Sequence, residues 1–207
     1  MFVSDAVGRT LGHYGVMILS RFPFSGLWLF TMESRMGRNL LVATMTVNGE
    51  KFAFGTAHLE SLDSAPYRAS QLSTAASVLN LPGYTRLFMG DFNFDATRNF
   101  VPHKLPLEND QLAVKFPDYV DVWAVLHPDR IGYTFDTDTN AMLDWMRHEP
   151  ETMRYDRILA ACQPRCTVDV IEMIGTEPIT NVGDVNYILP SDHYGLVCRI
   201  AFIDPTV

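Results

Sequence analysis

Short apolar runs separated by Gly, Pro, Asn and Asp dominate this sequence, a pattern typical of β-strands joined by tight turns. Two such runs, over residues 39–47 and 51–58, are separated by Asn48-Gly49-Glu50. Asn-Gly between apolar runs favours a hairpin because both residues tolerate positive φ angles. The sequence therefore predicts an antiparallel pair of strands here.

Further apolar runs predict more strands, and one segment has helical spacing. The predicted strands cover residues 14–20, 27–32, 85–89, 155–161, 167–174 and 194–203. Residues 64–80 carry apolar side chains at spacings of three and four and are followed by Pro82-Gly83, which predicts a helix. A short helix is expected over 118–126. Because strands outnumber helices and one helix joins two strands, we expect an α/β architecture with helices outside the sheets.

The composition predicts a folded chain with a single domain over residues 1–207. Hydrophobic residues make up 47% and charged residues 19%, as in globular proteins. The net charge of −8 argues against phosphate binding over the whole surface, but allows a local site for an anionic substrate. Cys162, Cys166 and Cys198 are an odd number and indicate a reducing compartment. With neither a signal peptide nor an apolar run of ~20 residues, we expect a soluble intracellular protein without membrane association.

Polar residues gather where the predicted strands begin or end. They are His58, Asp91, Asn93, Asp156, Asp192 and His193. Each one alone also fits a solvated strand end or a turn, since Asp and Asn favour turns. If the strand ends share one edge, however, two imidazoles, three carboxylates and a carboxamide converge. That set suits phosphoester hydrolysis, because it offers an acid or base and carboxylates for a hard divalent cation.

The order of these motifs resembles the endonuclease/exonuclease/phosphatase superfamily. The motifs are Gly90-Asp91-Phe92-Asn93, Asp156 and Ser191-Asp192-His193. Further segments resemble its 5′-tyrosyl-DNA phosphodiesterase branch: Arg38-Asn39-Leu40-Leu41, His58-Leu59-Glu60-Ser61, Asp121-Val122-Trp123, Tyr133-Thr134-Phe135-Asp136-Thr137 with Asn140, and Tyr155-Asp156-Arg157-Ile158. The resemblance covers essentially the whole chain and implies a two-sheet β-sandwich flanked by helices.

The resemblance also implies four catalytic roles. Asp91 positions or deprotonates the attacking water, and Asn93 donates a hydrogen bond to the scissile phosphate. His193 binds a phosphate oxygen and stabilises the charge that develops in the transition state. Asp156 orients the His193 ring and fixes its tautomer.

Five further residues are implied in metal or substrate binding. Asp192 holds the metal, directly or through water. His58 contacts the phosphate, and Ser61 supports its loop. Phe135 stacks on the DNA end or lines its groove, and Asn140 is placed with the substrate-binding residues.

The implied activity is a metal-dependent phosphodiesterase that uses water to release tyrosine from a 5′-phosphate. Mg²⁺ is the implied cofactor, with Mn²⁺ as the alternative ion. The implied partners are DNA 5′ ends carrying a phosphotyrosyl adduct left by a trapped topoisomerase. DNA repair, and with it a nuclear location, follows from the resemblance alone.

Two departures from the family pattern alter these expectations. A superfamily domain normally begins with a strand carrying an Asn and a strand ending in a metal-binding Glu. This chain starts after both, and Glu33 and Glu60 lie in the wrong places to replace that Glu. We therefore expect a truncated gene product or a mis-called start, in preference to a degenerate pseudoenzyme, with impaired activity.

In addition, Asp95 stands where the branch has an Arg, so we expect it to repel DNA, with Arg98 close enough to compensate.

Two alternative functions remain open at this point. Asp95 and the net charge of −8 favour a superfamily phosphoesterase or nuclease with another substrate. The missing Asn and Glu favour a non-catalytic fragment that binds DNA ends or a protein.

Overall fold

The computed structural model describes residues 1–5, 14–101, 105–146, 149–179 and 188–203. Most of the N-terminal stretch that lacks the family's opening strands, residues 6–12, lies outside this description. The strands are β1 (Phe2–Val3), β2 (Leu19–Ser20), β3 (Gly26–Thr31), β4 (Asn39–Val47), β5 (Glu50–Ala57), β6 (Thr85–Asp91), β7 (Val120–Asp121), β8 (Phe135–Asp136), β9 (Thr152–Met153), β10 (Asp156–Ala161), β11 (Cys166–Ile174) and β12 (Gly195–Phe202). The helices are α1 (Ala65–Val78), α2 (Asp110–Lys115) and α3 (Val122–Leu126), with a 3-10 helix over Ala141–Met146.

The largest sheet has six strands in the order β3-β4-β5-β6-β10-β7. Its neighbours pair antiparallel, apart from β5 and β6, which run parallel. Parallel neighbours need a crossover connection, and α1 supplies it, which confirms the predicted strand–helix–strand unit. The β4–β5 turn is also confirmed, since Asn48 and Gly49 have φ angles of 51° and 81°.

The central strands of the six-stranded sheet are buried on both faces. Leu40 and Val42 of β4 pack into a core that includes Leu72 and Leu79 from the α1 region. Met45 of the same strand packs into a second core, shared with β11 and β12. Because strand side chains alternate between faces, this double burial explains why β4 is apolar almost throughout.

The two-stranded sheet of β11 and β12 covers one face of the six-stranded sheet, and α1 covers the other. This arrangement confirms the predicted α/β class, with sheets packed together and helices outside. Within the described ranges, no helix has the length and apolarity needed to cross a membrane.

Two predicted elements were wrong in part. Of the strand expected over 14–20, only Leu19–Ser20 forms, as the partner of Phe2–Val3. Tyr14 instead packs its ring on His58, with the ring centroids 5.4 Å apart. The helix expected over 118–126 begins only at Val122, because Asp121 is still in a strand and caps the helix by accepting from the Ala124 N–H.

Candidate active site

Four elements bring the predicted catalytic residues together. Asp91 ends β6, and Asp156 begins β10, directly opposite it in the antiparallel register. His58 follows β5, the other neighbour of β6, and His193 lies two residues before β12. Gly90, with φ of 136°, lets the end of β6 approach β5, because a Cβ there would overlap the carbonyl oxygen of Ala57.

His193 is held by Asp156. Its Nδ1 lies 2.7 Å from Asp156 Oδ2, which fixes the ring tautomer with Nδ1 as the donor. Burial lowers the pKa of His193, but the hydrogen bond and charge of Asp156, with the charges of Asp91 and Asp192, raise it overall to about 8. The imidazole is therefore mostly protonated at neutral pH.

The pKa of Asp91 is also raised, but for a carboxylate this shift disfavours the charged form. Burial and the neighbouring charge of Asp156 raise the pKa of Asp91 to about 6, against the opposing charge of His193. The carboxylate accepts a hydrogen bond from the Asn93 backbone N–H at 2.9 Å. Its pKa therefore lies close to neutral pH, where a carboxylate serves best as a general base.

His58 completes a histidine–aspartate cluster with Asp91, Asp156 and His193. Its Nε2 lies 3.1 Å from Asp91 Oδ2. Burial, together with the charges of Arg38 and His193, lowers the pKa of His58 to about 4. Because this shift favours a neutral imidazole, the contact is a hydrogen bond between His58 and Asp91 and not an ion pair.

Arg38 and Tyr14 form a wall beside His58. The Arg38 guanidinium lies 4.4 Å from the centroid of the Tyr14 ring, a cation–π contact, and Tyr14 in turn packs on His58. Arg38 Nη2 also donates to Ser61 Oγ at 2.7 Å, so Ser61 supports this wall. The Arg38 side chain is buried, whereas the Tyr14 ring is exposed to an incoming ligand.

Asn93 lies at the bend after β6. Its φ angle of 54° is in the left-handed region, which Asn tolerates better than most residues. The carboxamide donates one hydrogen bond to the carbonyl oxygen of Leu59 at 3.1 Å. A second amide hydrogen remains for another acceptor, since the Asn side chain carries two.

Phe135 and Asn140 lie near the cluster but are buried. Phe135 is 8% exposed and packs edge-on against His193, with the centroids 5.0 Å apart, so it supports the imidazole instead of offering a stacking face. Asn140 is 1% exposed and donates to the carbonyl oxygen of Ser191 at 3.1 Å. These internal contacts count against the predicted substrate-binding roles of both residues, which stay predictions.

The predicted metal ligand is Asp192. Its side chain is exposed and accepts from Ser191 Oγ at 3.2 Å. Across the described ranges, no three His, Cys, Asp or Glu residues are grouped so that they could hold a metal ion. Glu60 is 1% exposed and already accepts from Ser34 and Arg35, so it does not supply a ligand. These residues therefore do not complete a metal site.

A second polar group, the arginine network of Arg154, Arg157, Asp95 and Asp121, lies behind the cluster. Arg154 Nη1 donates to both oxygens of Asp121, at 2.8 and 2.9 Å, and Arg157 Nη1 donates to the same carboxylate at 3.0 Å. Asp95 accepts from the Arg154 backbone N–H at 2.8 Å.

The surroundings of Asp95 count against the expectation that this residue repels DNA, which stays a prediction. Asp95 is 3% exposed, and its carboxylate also accepts from the backbone and hydroxyl of Thr97. Burial raises its pKa, but these hydrogen bonds and the charge of Arg157 lower it overall. The charge is thus neutralised inside the protein. Arg98, expected to compensate, donates to the carbonyl oxygen of Thr152.

Tyr14, Arg38 and Thr134 were not assigned roles from the sequence, although all three contact the site. Arg38 and Thr134 do lie inside family-like segments, directly before β4 and β8. Tyr14 falls in an ordinary apolar run, and no local pattern marks it as a site residue.

Comparisons with known proteins show which family the chain resembles. The model of the Endonuclease/Exonuclease/phosphatase family matches residues 2–193. The chain is 32% identical over 179 residues to tyrosyl-DNA phosphodiesterase 2 of Xenopus laevis, covering 81% of this chain and 43% of that protein. It is 29% identical over 182 residues to the Homo sapiens protein of the same name, covering 83% and 44%. The chain spans about half the length of the curated relatives it matches.

Solved structures also match the fold of this chain. The crystal structure of D. rerio TDP2 complexed with single strand DNA product matches with a TM-score of 0.71 at 28% identity, covering 87% of this chain and 68% of that one. Sphingomyelinase C from Streptomyces griseocarneus matches with a TM-score of 0.62 at 18% identity, covering 92% and 68%, and shows a shared fold alone.

Proposed function

Because the chain belongs to the Endonuclease/Exonuclease/phosphatase family, we propose that it is a phosphodiesterase that hydrolyses the 5′-phosphotyrosyl bond of topoisomerase–DNA adducts. The observation that carries this proposal is the histidine–aspartate cluster, in which His193 lies 2.7 Å from Asp156 and Asp91 lies opposite Asp156 and 3.1 Å from His58. The names of the relatives and the DNA product bound to D. rerio TDP2 support the choice of substrate.

Asp91 acts on the nucleophile. With a pKa of about 6, it is ionised at neutral pH yet basic enough to accept a proton from water as that water attacks phosphorus. The hydrogen bonds from the Asn93 N–H and from His58 fix the orientation of the carboxylate. The oxygen that the water contributes ends on the DNA 5′-phosphate, and tyrosine leaves.

His193 acts on the phosphate. Nδ1 donates to Asp156, so the protonated ring has its Nε2–H left to donate to a non-bridging oxygen. Asp156 stabilises the imidazolium, and the donor is already oriented before the reaction. The second amide hydrogen of Asn93 provides another donor on the same side of Asp91.

The wall of Tyr14 and Arg38 lies where it can receive the leaving tyrosine. The exposed ring of Tyr14 offers an aromatic face, and the buried Arg38 charge beneath it attracts a developing phenolate. The aromatic face offered to a ligand in this proposal is therefore that of Tyr14, since Phe135 is buried.

Mg²⁺, or Mn²⁺ in its place, is the cofactor we propose to test, with Asp192 as one ligand. Such an ion would stabilise negative charge on the phosphate. Since the described residues do not complete its site, the roles given above are those of side chains alone. A nuclear location is proposed only because the substrate is DNA.

The test is tyrosine release from a 5′-phosphotyrosyl oligonucleotide by the full chain, first with Mg²⁺ and then with EDTA. A matched 3′-phosphotyrosyl oligonucleotide and a phosphodiester without DNA are run beside it. Release from the 5′ substrate alone supports the proposal. Faster turnover of the ester without DNA would support the alternative of another substrate, and binding without turnover would support a non-catalytic fragment.

A further inference from the structure

Asp156 and His193 meet across the boundary between two sheets. Asp156 begins β10 of the six-stranded sheet, whereas His193 leads into β12 of the two-stranded sheet. Ladder hydrogen bonds fix register only within a sheet. The 2.7 Å distance between His193 Nδ1 and Asp156 Oδ2 therefore depends on contacts outside both ladders.

Thr134 contacts both sides of this boundary. Its Oγ1 accepts a hydrogen bond from the Asp156 backbone N–H at 2.9 Å. Its carbonyl oxygen accepts from the N–H of Tyr194, the residue after His193, at 2.7 Å. Thr134 is 0% exposed, so water does not compete for these bonds.

The rest of the same segment holds the His193 region at two more points. Asn140 donates to the carbonyl oxygen of Ser191, and the Tyr194 hydroxyl donates to Thr139 Oγ1 at 3.1 Å. These two contacts reach only the His193 side. Thr134, by contrast, contacts both Asp156 and the His193 side.

We propose that Thr134 is a positioning residue that holds Asp156 and the His193 segment in the arrangement the reaction requires. The kinetic part of this inference rests on the proposed function, whereas the geometric part does not. Without the hydroxyl, the buried Asp156 N–H loses its acceptor, and the first residue of β10 must shift to find another. The imidazole would then lose its fixed orientation although both catalytic side chains remain.

The test compares Thr134→Val, which keeps the side-chain shape but removes the hydroxyl, with Thr134→Ser, which keeps the hydroxyl. The matched control is Thr85→Val at the opposite end of β6. Thr85 is also 0% exposed, and its Oγ1 accepts from the Gln163 backbone N–H at 3.0 Å. Both valine variants therefore remove the same kind of buried bond, but only one of them lies next to the cluster.

We expect Thr134→Val to lower kcat about 10- to 100-fold with KM unchanged, as a displaced catalytic group does. Thr134→Ser should recover most of kcat, and Thr85→Val should keep it despite a similar fall in Tm. Equal kcat for the two valine variants would overturn the proposal, and so would failure of the serine variant to recover activity. Should Thr134→Val not fold, Thr134→Ala replaces it in the same comparison.

A second readout needs no turnover. The proton shared between His193 Nδ1 and Asp156 gives a downfield imidazole resonance in proton NMR, assigned by its loss in His193→Gln. It should weaken or shift upfield in Thr134→Val and persist in Thr85→Val and Thr134→Ser. If the wild-type chain turns over no phosphoester, the proposed function fails, and this resonance alone decides. An unchanged resonance in Thr134→Val overturns the role of Thr134.

Discussion

The histidine–aspartate cluster and the arginine network each contain two aspartates and each include a residue of β10, yet the carboxylates of Asp91 and Asp121 behave in opposite ways. Asp91 faces Asp156 across the register, and burial beside that second carboxylate raises its pKa to about 6. Asp121 is also mostly buried, which raises its pKa, but two arginines donate to it and lower the pKa overall. The partner, more than the burial, decides whether a buried carboxylate is reactive or structural.

This contrast also separates function from stability. A carboxylate whose pKa is raised by burial and a neighbouring carboxylate costs stability when it is ionised at neutral pH, and such groups gather at functional sites. A carboxylate shared by two arginines is fully satisfied and has no proton to exchange near neutral pH. We therefore expect substitutions in the cluster to change activity and substitutions in the network to change stability.

The largest effect is expected for His193→Gln. Removing the imidazolium should lower kcat on the 5′-phosphotyrosyl oligonucleotide about a thousandfold, because it removes a preorganised donor to the phosphate. The matched control is His127→Gln, since His127 contacts the carbonyl oxygen of Ile171 outside the cluster. Kinetics that fall equally in the two variants would contradict the assignment of His193.

The next effect tests the network. Arg157→Met should lower the free energy of unfolding by about 3 kcal/mol, because it leaves a buried carboxylate short of one cation. Arg157 is 1% exposed and donates to Asn109, Asp121, and the carbonyl oxygens of Phe94 and Arg154. Urea unfolding measures the loss. The control is Arg199→Met, whose ion pair with Asp169 is exposed and should contribute little.

Asp91→Asn should lower kcat about a hundredfold, because it removes the general base. It should also raise stability at pH 7 by about 2 kcal/mol, since it removes a carboxylate whose folded-state pKa is raised. The sign follows from the titration: wild-type stability falls as the pH rises from 3.8 to about 6. The gain in Asp91→Asn should therefore be present above pH 6 and vanish below pH 4. Thermal melts across this pH range measure it.

Asp121→Asn should change stability in the opposite direction in the same experiment. The pKa of Asp121 is lowered in the folded state, so the carboxylate stabilises the fold above its ordinary pKa of 3.8. The stability lost in Asp121→Asn should be full at neutral pH and shrink as the pH falls below that value. The same pH dependence in both variants would break the comparison between the two regions.

The smallest effect is expected on the affinity for DNA. Asp95→Asn should change the Kd for a single-stranded oligonucleotide by less than about twofold, because a neutralised, buried carboxylate adds little to the field at the surface. Fluorescence anisotropy at fixed salt measures it, with Asp192→Asn, an exposed carboxylate beside His193, as the comparison. A clear rise in affinity for Asp95→Asn would restore the idea that this residue repels DNA.

The sequence by itself determined the longer strands, the α1 crossover and the candidate residues of the cluster. Asn48-Gly49 requires a turn whatever surrounds it, and the apolar runs of β4 and β10 allow little besides buried strands. Asp91, Asp156 and His193 stand next to such runs, so their convergence could be inferred from strand ends that share one edge. Local conformational preferences carry this information, and they depend on residues that are close together in the sequence.

Tertiary structure alone decided which partners each side chain near the cluster contacts. Asp95 and Asp91 are four residues apart and chemically identical, yet one meets Arg154 and Thr97 and the other meets Asp156 and His58. The rings of Phe135 and Tyr14 differ in exposure for the same reason, since Phe135 is buried against His193 whereas Tyr14 is exposed. A side chain's pKa and accessibility depend on partners distant in sequence, and only the packing of two sheets brings those partners together.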